Sequence, residues 1–204
     1  MKTSTILSAL TLATAHVLAQ DSYYSSQTPP FYLVLKSSNS TLNGSALASC
    51  HEGAAIESLC PGAAFNPALN PATYNLNYSS VAYPTPSDNI TGLLTWTLKG
   101  SDFTLISPLS FSYNPTSNVA VPMFYPSEVG TIPFGFDEEG RLVLSNYYYD
   151  DTVVPGVFKQ VTLNRWQVCT TAMGYVYDTI AWVMGKGEPQ NPTCQSVEIY
   201  RVWA

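Results

Sequence analysis

The chain has 204 residues and a formal net charge of −6, and only 11% of its residues are charged, against about 25% in an average soluble protein. An acidic chain with no basic cluster repels phosphate backbones, which argues against nucleic acid as a partner. Water has to be met chiefly by Ser, Thr, Asn and Tyr.

Residues 1–19 read as a secretory signal peptide. Lys2 supplies the positive start, Ile6 to Leu18 is apolar or small, and Val17-Leu-Ala19 offers the residues a signal peptidase reads. The run is broken by Ser8, Thr11, Thr14 and His16, and it falls short of the roughly 20 apolar residues of a membrane span. No second such run follows, and the end Tyr200-Arg-Val-Trp-Ala204 lacks a lipid-anchor signal. The expected product is exported, with no membrane attachment after signal removal. Cleavage after Ala19 leaves 204 − 19 = 185 residues, with seven basic and fourteen acidic side chains and a formal charge of −7. That length suits one domain with a proper core.

Residues 20–30 are polar, end in Pro29-Pro30, and read as a flexible start to a single domain over 31–204. Phe31–Lys36 reads as a strand, apolar on both faces and therefore buried. Cys50 and Cys60 flank Ala54-Ala-Ile-Glu-Ser-Leu59, which fits a helical turn or two, or a hairpin arm, over too few residues for periodicity to choose. Thr73–Tyr78 alternates, and Tyr83-Pro-Thr-Pro-Ser-Asp88 is a loop by its breakers. Clear alternation returns at Leu94, Trp96 and Leu98, at Leu109, Phe111 and Tyr113, and at Val119, Val121 and Met123. Ile132, Phe134 and Phe136 lead through Asp137-Glu-Glu-Gly140 into Arg141-Leu-Val-Leu144, a hairpin with a four-residue polar turn. Phe158–Leu163 is a further strand. Asn164–Trp203 holds three of the four tryptophans and two of the four cysteines. It reads as a closing hairpin whose tryptophans fill the core, with Val176, Ile180 and Trp182 on one face and Tyr175, Tyr177 and Val183 on the other. About ten short strands spaced roughly 8–12 residues apart predict an all-β fold, a single antiparallel β-barrel or β-sandwich domain.

Four cysteines in an exported chain predict two disulfides. Of three connectivities, Cys50–Cys60 with Cys169–Cys194 joins the pairs closest in sequence, each flanking a turn-rich segment. Loop closure contributes about 3 and about 3.5 kcal/mol for the two loops, too close to rank them. The spacings contain no Cys-x-x-Cys, and His51 is the only histidine beyond the signal segment, so no metal and no cofactor are expected. Sequons at Asn39, Asn43, Asn77 and Asn89 are candidate N-glycosylation sites, and an occupied one should face water.

No residue set predicts catalysis. His51 stands beside Glu52, but neighbours on an extended chain point to opposite faces. No Gly-x-Ser-x-Gly elbow supplies a nucleophile for a triad. The carboxylates Asp137, Glu138 and Glu139, and Asp150 with Asp151, raise glycoside hydrolysis, which needs two carboxyls roughly 5–10 Å apart across a cleft. A hairpin turn and a solvated loop end account for them more simply. The most suggestive surface is Tyr147-Tyr-Tyr-Asp-Asp151. Aromatic faces stack on sugar rings and carboxylates accept hydroxyl hydrogen bonds, so Tyr147, Tyr149, Asp150 and Asp151 are candidate carbohydrate-binding residues, with cell-wall polysaccharide as the partner. The structural alternative is a strand end with Tyr148 in the core and its neighbours exposed. No Asp-x-Asp-x-Asp ladder supports calcium.

Cys50-His-Glu-Gly-Ala-Ala-Ile-Glu57, Phe136-Asp-x-x-Gly140-x-Leu142, Trp166-x-Val-Cys169, Gly174-Tyr-x-Tyr177, and Trp182-Val followed by Gln190-Asn-Pro-x-Cys194 form a further pattern. Together they resemble a family of small secreted proteins of unknown function from filamentous ascomycete fungi. In layout, with a late Trp strand, an Asn-Pro segment and a final Cys, the chain is also distantly similar to PhiA-type fungal cell-wall proteins. The resemblance implies a secreted, non-enzymatic protein at or outside the cell wall and carries no catalytic residue with it. A carbohydrate-binding or host-facing effector protein is the first alternative and a glycoside hydrolase the second.

Overall fold

Alternation along a strand turns one face toward the core, as at Phe31, Leu33 and Leu35, which are all buried. The computed structural model describes residues 22–69, 71–82, 90–126 and 131–204. The signal segment 1–19, the loop expected at Tyr83–Asp88 and the Asn89 sequon lie outside the described residues. The described residues form fifteen strands: β1 Ser26–Gln27, β2 Phe31–Lys36, β3 Ser45–Gly53, β4 Ile56–Ala64, β5 Tyr74–Tyr78, β6 Leu93–Lys99, β7 Thr104–Tyr113, β8 Val119–Phe124, β9 Gly135–Phe136, β10 Leu142–Asp150, β11 Val157–Leu163, β12 Trp166–Ala172, β13 Val176–Val183, β14 Gln195–Ser196 and β15 Glu198–Trp203. Two 3-10 turns, Ser22–Tyr24 and Pro67–Leu69, are the only helices among the described residues.

Pairing runs in the order β14-β12-β13-β8-β4-β3-β2-β5-β6-β7, and β7 also pairs β8. This last pairing, from Leu109↔Phe124 to Tyr113↔Ala120, joins β8, β4, β3, β2, β5, β6 and β7 into a closed ring of antiparallel strands. Closure decides for a barrel, because a ring leaves fewer edges to be paired by another chain. β13 joins β8 through Trp182↔Ala120 and Val183↔Val119. β15 lies along all of β2, from Glu198↔Lys36 to Trp203↔Phe31. β11, β10 and β9 make a separate three-stranded sheet.

The core is built by the ring together with strands outside it, since Trp166, Trp182 and Ile199 on β12, β13 and β15 join Phe31, Leu47 and Leu109 in one cluster. Phe31, Leu33 and Leu35 of β2 are buried, while Tyr32 and Val34 between them are only half-buried, so this strand is closed on one face rather than two. Trp166 is fully buried and meets Trp182 edge-on at 4.9 Å and Phe134 at 6.2 Å. Its indole Nε1–H donates to the Leu142 carbonyl at 2.7 Å. Tyr74, also buried, donates its hydroxyl to the Leu47 carbonyl at 3.2 Å, and burial pushes its phenol well above the usual range.

The expected disulfides are both present, Cys50–Cys60 with Cα atoms 5.9 Å apart and Cys169–Cys194 at 4.1 Å. Between Cys50 and Cys60 the chain forms a hairpin arm rather than a helical turn, with β3 paired to β4 from Ser45↔Ala64 to Gly53↔Ile56.

Within the stretch read as a flexible start, Ser26 and Gln27 pair Tyr78 and Asn77, and Thr28 N–H donates to the Leu76 carbonyl at 2.9 Å. Two expectations are corrected. Trp203 is not core but 47% exposed, lying edge-on to Phe31 at 5.8 Å with the Arg201 guanidinium 4.1 Å from its ring centre. The core role expected of β13 is confined to its end. Ile180 to Val183 are all buried, on both faces, whereas Val176 is 68% exposed because the β12–β13 hairpin tip runs past the barrel.

The polar turn before β10 is a knot around Arg141. Its guanidinium pairs Asp137 at 2.7 Å, Glu139 at 2.6 Å and Glu198 of β15 at 3.1 Å. Burial acts to raise the Asp137 carboxyl, but the Arg141 backbone and guanidinium more than offset it and hold the group below the ordinary carboxylate range. The contribution of this group to stability is therefore complete above that range and is lost as pH falls through the lowered value.

Candidate functional site

β10 is long enough to serve two partners. Leu142 and Val143 pair β9, and Leu144 to Asp150 pair β11 from Leu144↔Leu163 to Asp150↔Val157. Past Leu144 the β10–β11 ribbon stands away from the barrel, and strand periodicity gives it two faces. Leu144, Asn146, Tyr148 and Asp150 share one face with Val157, Lys159, Val161 and Leu163. Ser145, Tyr147 and Tyr149 share the other with Phe158, Gln160 and Thr162.

On this outer face Tyr147 is 63% exposed, Tyr149 56% and Phe158 75%. The Tyr149 and Phe158 rings meet at 5.1 Å and an angle of 57°. Beside them, Ser145 Oγ accepts hydrogen bonds from Gln160 Nε2 at 2.9 Å and Thr162 Oγ1 at 3.0 Å. The result is an angled aromatic row flanked by hydroxyl and amide groups.

Of the four residues singled out from the sequence, Tyr147 and Tyr149 therefore stand together. Asp150 lies on the opposite face, where Lys159 and Thr152 bind its carboxylate. The Lys159 ammonium, then Thr152, hold that carboxyl below its ordinary range. Asp151 is exposed just past the strand end. Tyr148, expected in the core, is half exposed: its face of the ribbon looks onto a cleft, not into packed interior. Phe158 was missed as a site residue because only register places it opposite Tyr149.

The cleft has a volume of about 790 Å³ and lies between the inner ribbon face and the barrel. The ribbon contributes Leu144, Asn146, Tyr148, Val161 and Leu163, with Ser145 and Tyr147 at the rim; the barrel side contributes Phe111, Tyr113 and Trp182. Arg165, Met184, Gly185 and Lys186 form a further wall.

The β3–β4 hairpin carries the other polar cluster. His51 Nδ1 lies 3.2 Å from Glu57 Oε1, across the hairpin. Glu52 points elsewhere and is buried. Its Oε1 accepts from Ser58 Oγ at 2.8 Å, and its Oε2 accepts the Gly174 and Tyr175 backbone N–H groups at 2.9 and 3.0 Å. A Cβ on Gly174 would sit 1.9 Å from the Glu52 carbonyl oxygen. Glu52 is a clamp on the β12–β13 tip, not an orienting group for His51.

The sequons differ in their surroundings. Asn43 is exposed, and its Oδ1 accepts from Ser37 N–H at 3.1 Å. The Asn39 amide is half-buried and donates to Gln195 Oε1 at 2.6 Å. Asn77 is 5% exposed, and its Oδ1 accepts from Gln27 at 2.8 Å, so the expectation of a water-facing position fails there: β1 and β6 cover it. Glycopeptide mapping of protein secreted from a eukaryotic host should find glycan on Asn43 and none on Asn77. A fully glycosylated Asn77 in folded protein would contradict the β1–β5–β6 pairing.

Among the described residues no group of three or more His, Cys, Asp or Glu could hold a metal ion, and no helix is long and apolar enough to cross a membrane. Fold and site together define an antiparallel β-barrel stapled by two disulfides, with a projecting aromatic ribbon. The chain belongs to the DUF7907 family, a domain of unknown function whose model matches residues 28–203. No curated protein and no solved structure matches it.

Proposed function

We propose that the protein is a secreted, non-enzymatic fungal protein that works at the cell wall, where it holds polysaccharide on the outer face of the β10–β11 ribbon. The carrying observation is the exposed row Tyr147, Tyr149 and Phe158. Solvent-exposed apolar rings gathered on one face mark an interaction surface, and rings with a polar rim suit sugars, which are apolar on their faces and hydroxylated at their edges. The signal-like segment and the two disulfides support an oxidising destination outside the cell. The resemblance to secreted ascomycete proteins and to the PhiA-type layout supports the wall as that destination. Hydrolysis has less support, since Asp137 and Glu139 are both engaged by Arg141 and Asp150 by Lys159.

The 57° angle between Tyr149 and Phe158 favours a single twisted glycan chain over a flat crystalline surface, which needs coplanar rings. In pull-downs on soluble β-glucan, mannan and crystalline chitin at physiological salt, retention is expected on a soluble glycan. The pair Tyr149→Ala and Phe158→Ala should abolish it, since each stacked ring is worth about 1 kcal/mol. Retention on none of the three would end this reading.

A further inference from the structure

We propose that the cleft on the inner face of the ribbon is a second, separate binding site, for an amphipathic anion: a long apolar chain ending in one carboxylate. The argument rests on the distribution of charge. The chain has fourteen acidic and eight basic residues, yet among the described residues the charged side chains lining this cleft are Arg165 and Lys186, with no carboxylate beside them. In an acidic protein that is a reversal of sign, and it occurs where the remaining wall is aromatic and aliphatic, with Phe111, Leu144, Tyr148 and Trp182.

The two cations have different tasks. Arg165 donates from Nε to the Val183 carbonyl at 3.0 Å and from Nη2 to the Gly187 carbonyl, which fixes the turn after β13. Gly185 makes that turn at φ 71°, a left-handed conformation that glycine adopts without steric cost. Lys186, exposed on the turn, has no ion-pair partner among the described residues. A ligand laid along the apolar wall would therefore keep its head at the solvent edge beside Lys186. The volume of about 790 Å³ lies within the range of roughly 300–1,000 Å³ usual for small-molecule sites. Ser145 and Tyr147 reach the rim of this cleft, but Tyr149 and Phe158 lie on the opposite face of the ribbon, so loss of glycan retention in the Tyr149→Ala and Phe158→Ala pair and loss of dodecanoate binding are separable outcomes.

Three probes of equal chain length test it: dodecanoate, dodecanol and dodecyltrimethylammonium, each titrated into the mature protein below its micelle concentration. Binding is followed by calorimetry and by tryptophan emission, to which Trp182 contributes from the cleft wall. Dodecanoate should bind saturably at one site, about fivefold tighter than the alcohol, as one partly exposed ion contact allows. The ammonium compound should bind weakest. Lys186→Glu should remove the preference for dodecanoate and leave dodecanol affinity and glycan retention unchanged. Tyr148→Ala should weaken dodecanoate and dodecanol together. Absence of saturable binding, equal affinity for the anion and the cation, or an undiminished preference for dodecanoate in Lys186→Glu would overturn the proposal.

Discussion

Replacing Trp166 with alanine is expected to cost about 4 kcal/mol of unfolding free energy, the range found when a large buried aromatic is truncated. Three terms combine. The side chain is fully buried, so its transfer energy is lost. Trp182, Phe134 and Phe111, whose rings lie 4.9 to 6.2 Å away, cannot collapse into the space, because each is itself packed into the core cluster. The Leu142 carbonyl, now served by the indole N–H at 2.7 Å, is left without its donor. Trp166→Phe separates the terms. It keeps most of the packing but not the hydrogen bond, and it should cost about 2 kcal/mol. Denaturant unfolding with both disulfides intact measures each. A loss below about 1 kcal/mol for the alanine variant would mean that Trp166 does not hold the core as its burial implies.

Loss of Glu52 is the second large effect. Its carboxylate is the acceptor for three donors, Ser58 Oγ, Gly174 N–H and Tyr175 N–H. Hydrogen bonds to a charged group are worth about 1.5–3 kcal/mol, and a donor left out of water, as the buried Ser58 hydroxyl would be, costs more. Glu52→Ala should therefore cost about 3 kcal/mol. It should also speed amide hydrogen exchange at Gly174 and Tyr175 selectively. Gly174→Ala should do comparable damage from the other side, since its Cβ would meet the Glu52 backbone at 1.9 Å and the tip must move away. The two substitutions act on one contact, so the double variant should cost clearly less than their sum. Additive effects, or unchanged exchange at the tip in Glu52→Ala, would show that the carboxylate does not anchor it.

These cases show where reading the chain as a sequence succeeds and where it stops. Alternation located β5, β6 and β8 to within a residue or so, because inward and outward positions on a strand repeat every two residues and need no knowledge of the partner. The pairing of Cys50 with Cys60 and Cys169 with Cys194 was the expectation from proximity. Trp203 was misplaced because an aromatic at a chain end has the same local pattern whether β15 is covered or lies along a rim. Tyr148 was misplaced for a related reason. Its own strand supplies the alternation, but whether the face meets a core or a cleft depends on how far the β10–β11 ribbon diverges from the barrel. The four sequons share one local motif, and only pairing with β1 and β6 distinguishes Asn77 from Asn43.

The sequence by itself determined an all-β, disulfide-stapled chain with a signal-like start, few charges and a candidate aromatic run. All of these follow from residue type, spacing and period. The tertiary structure alone decided that β7 returns to β8 and closes the barrel, and that Glu52 reaches the backbone of residues 174 and 175. It also decided that Tyr149 and Phe158 look outward while Tyr148 looks onto a cleft edged by Arg165 and Lys186. Each of these depends on which residues far apart in the chain come to face each other. A one-residue change of register in β10 against β11 would exchange the two faces and leave the composition unaltered.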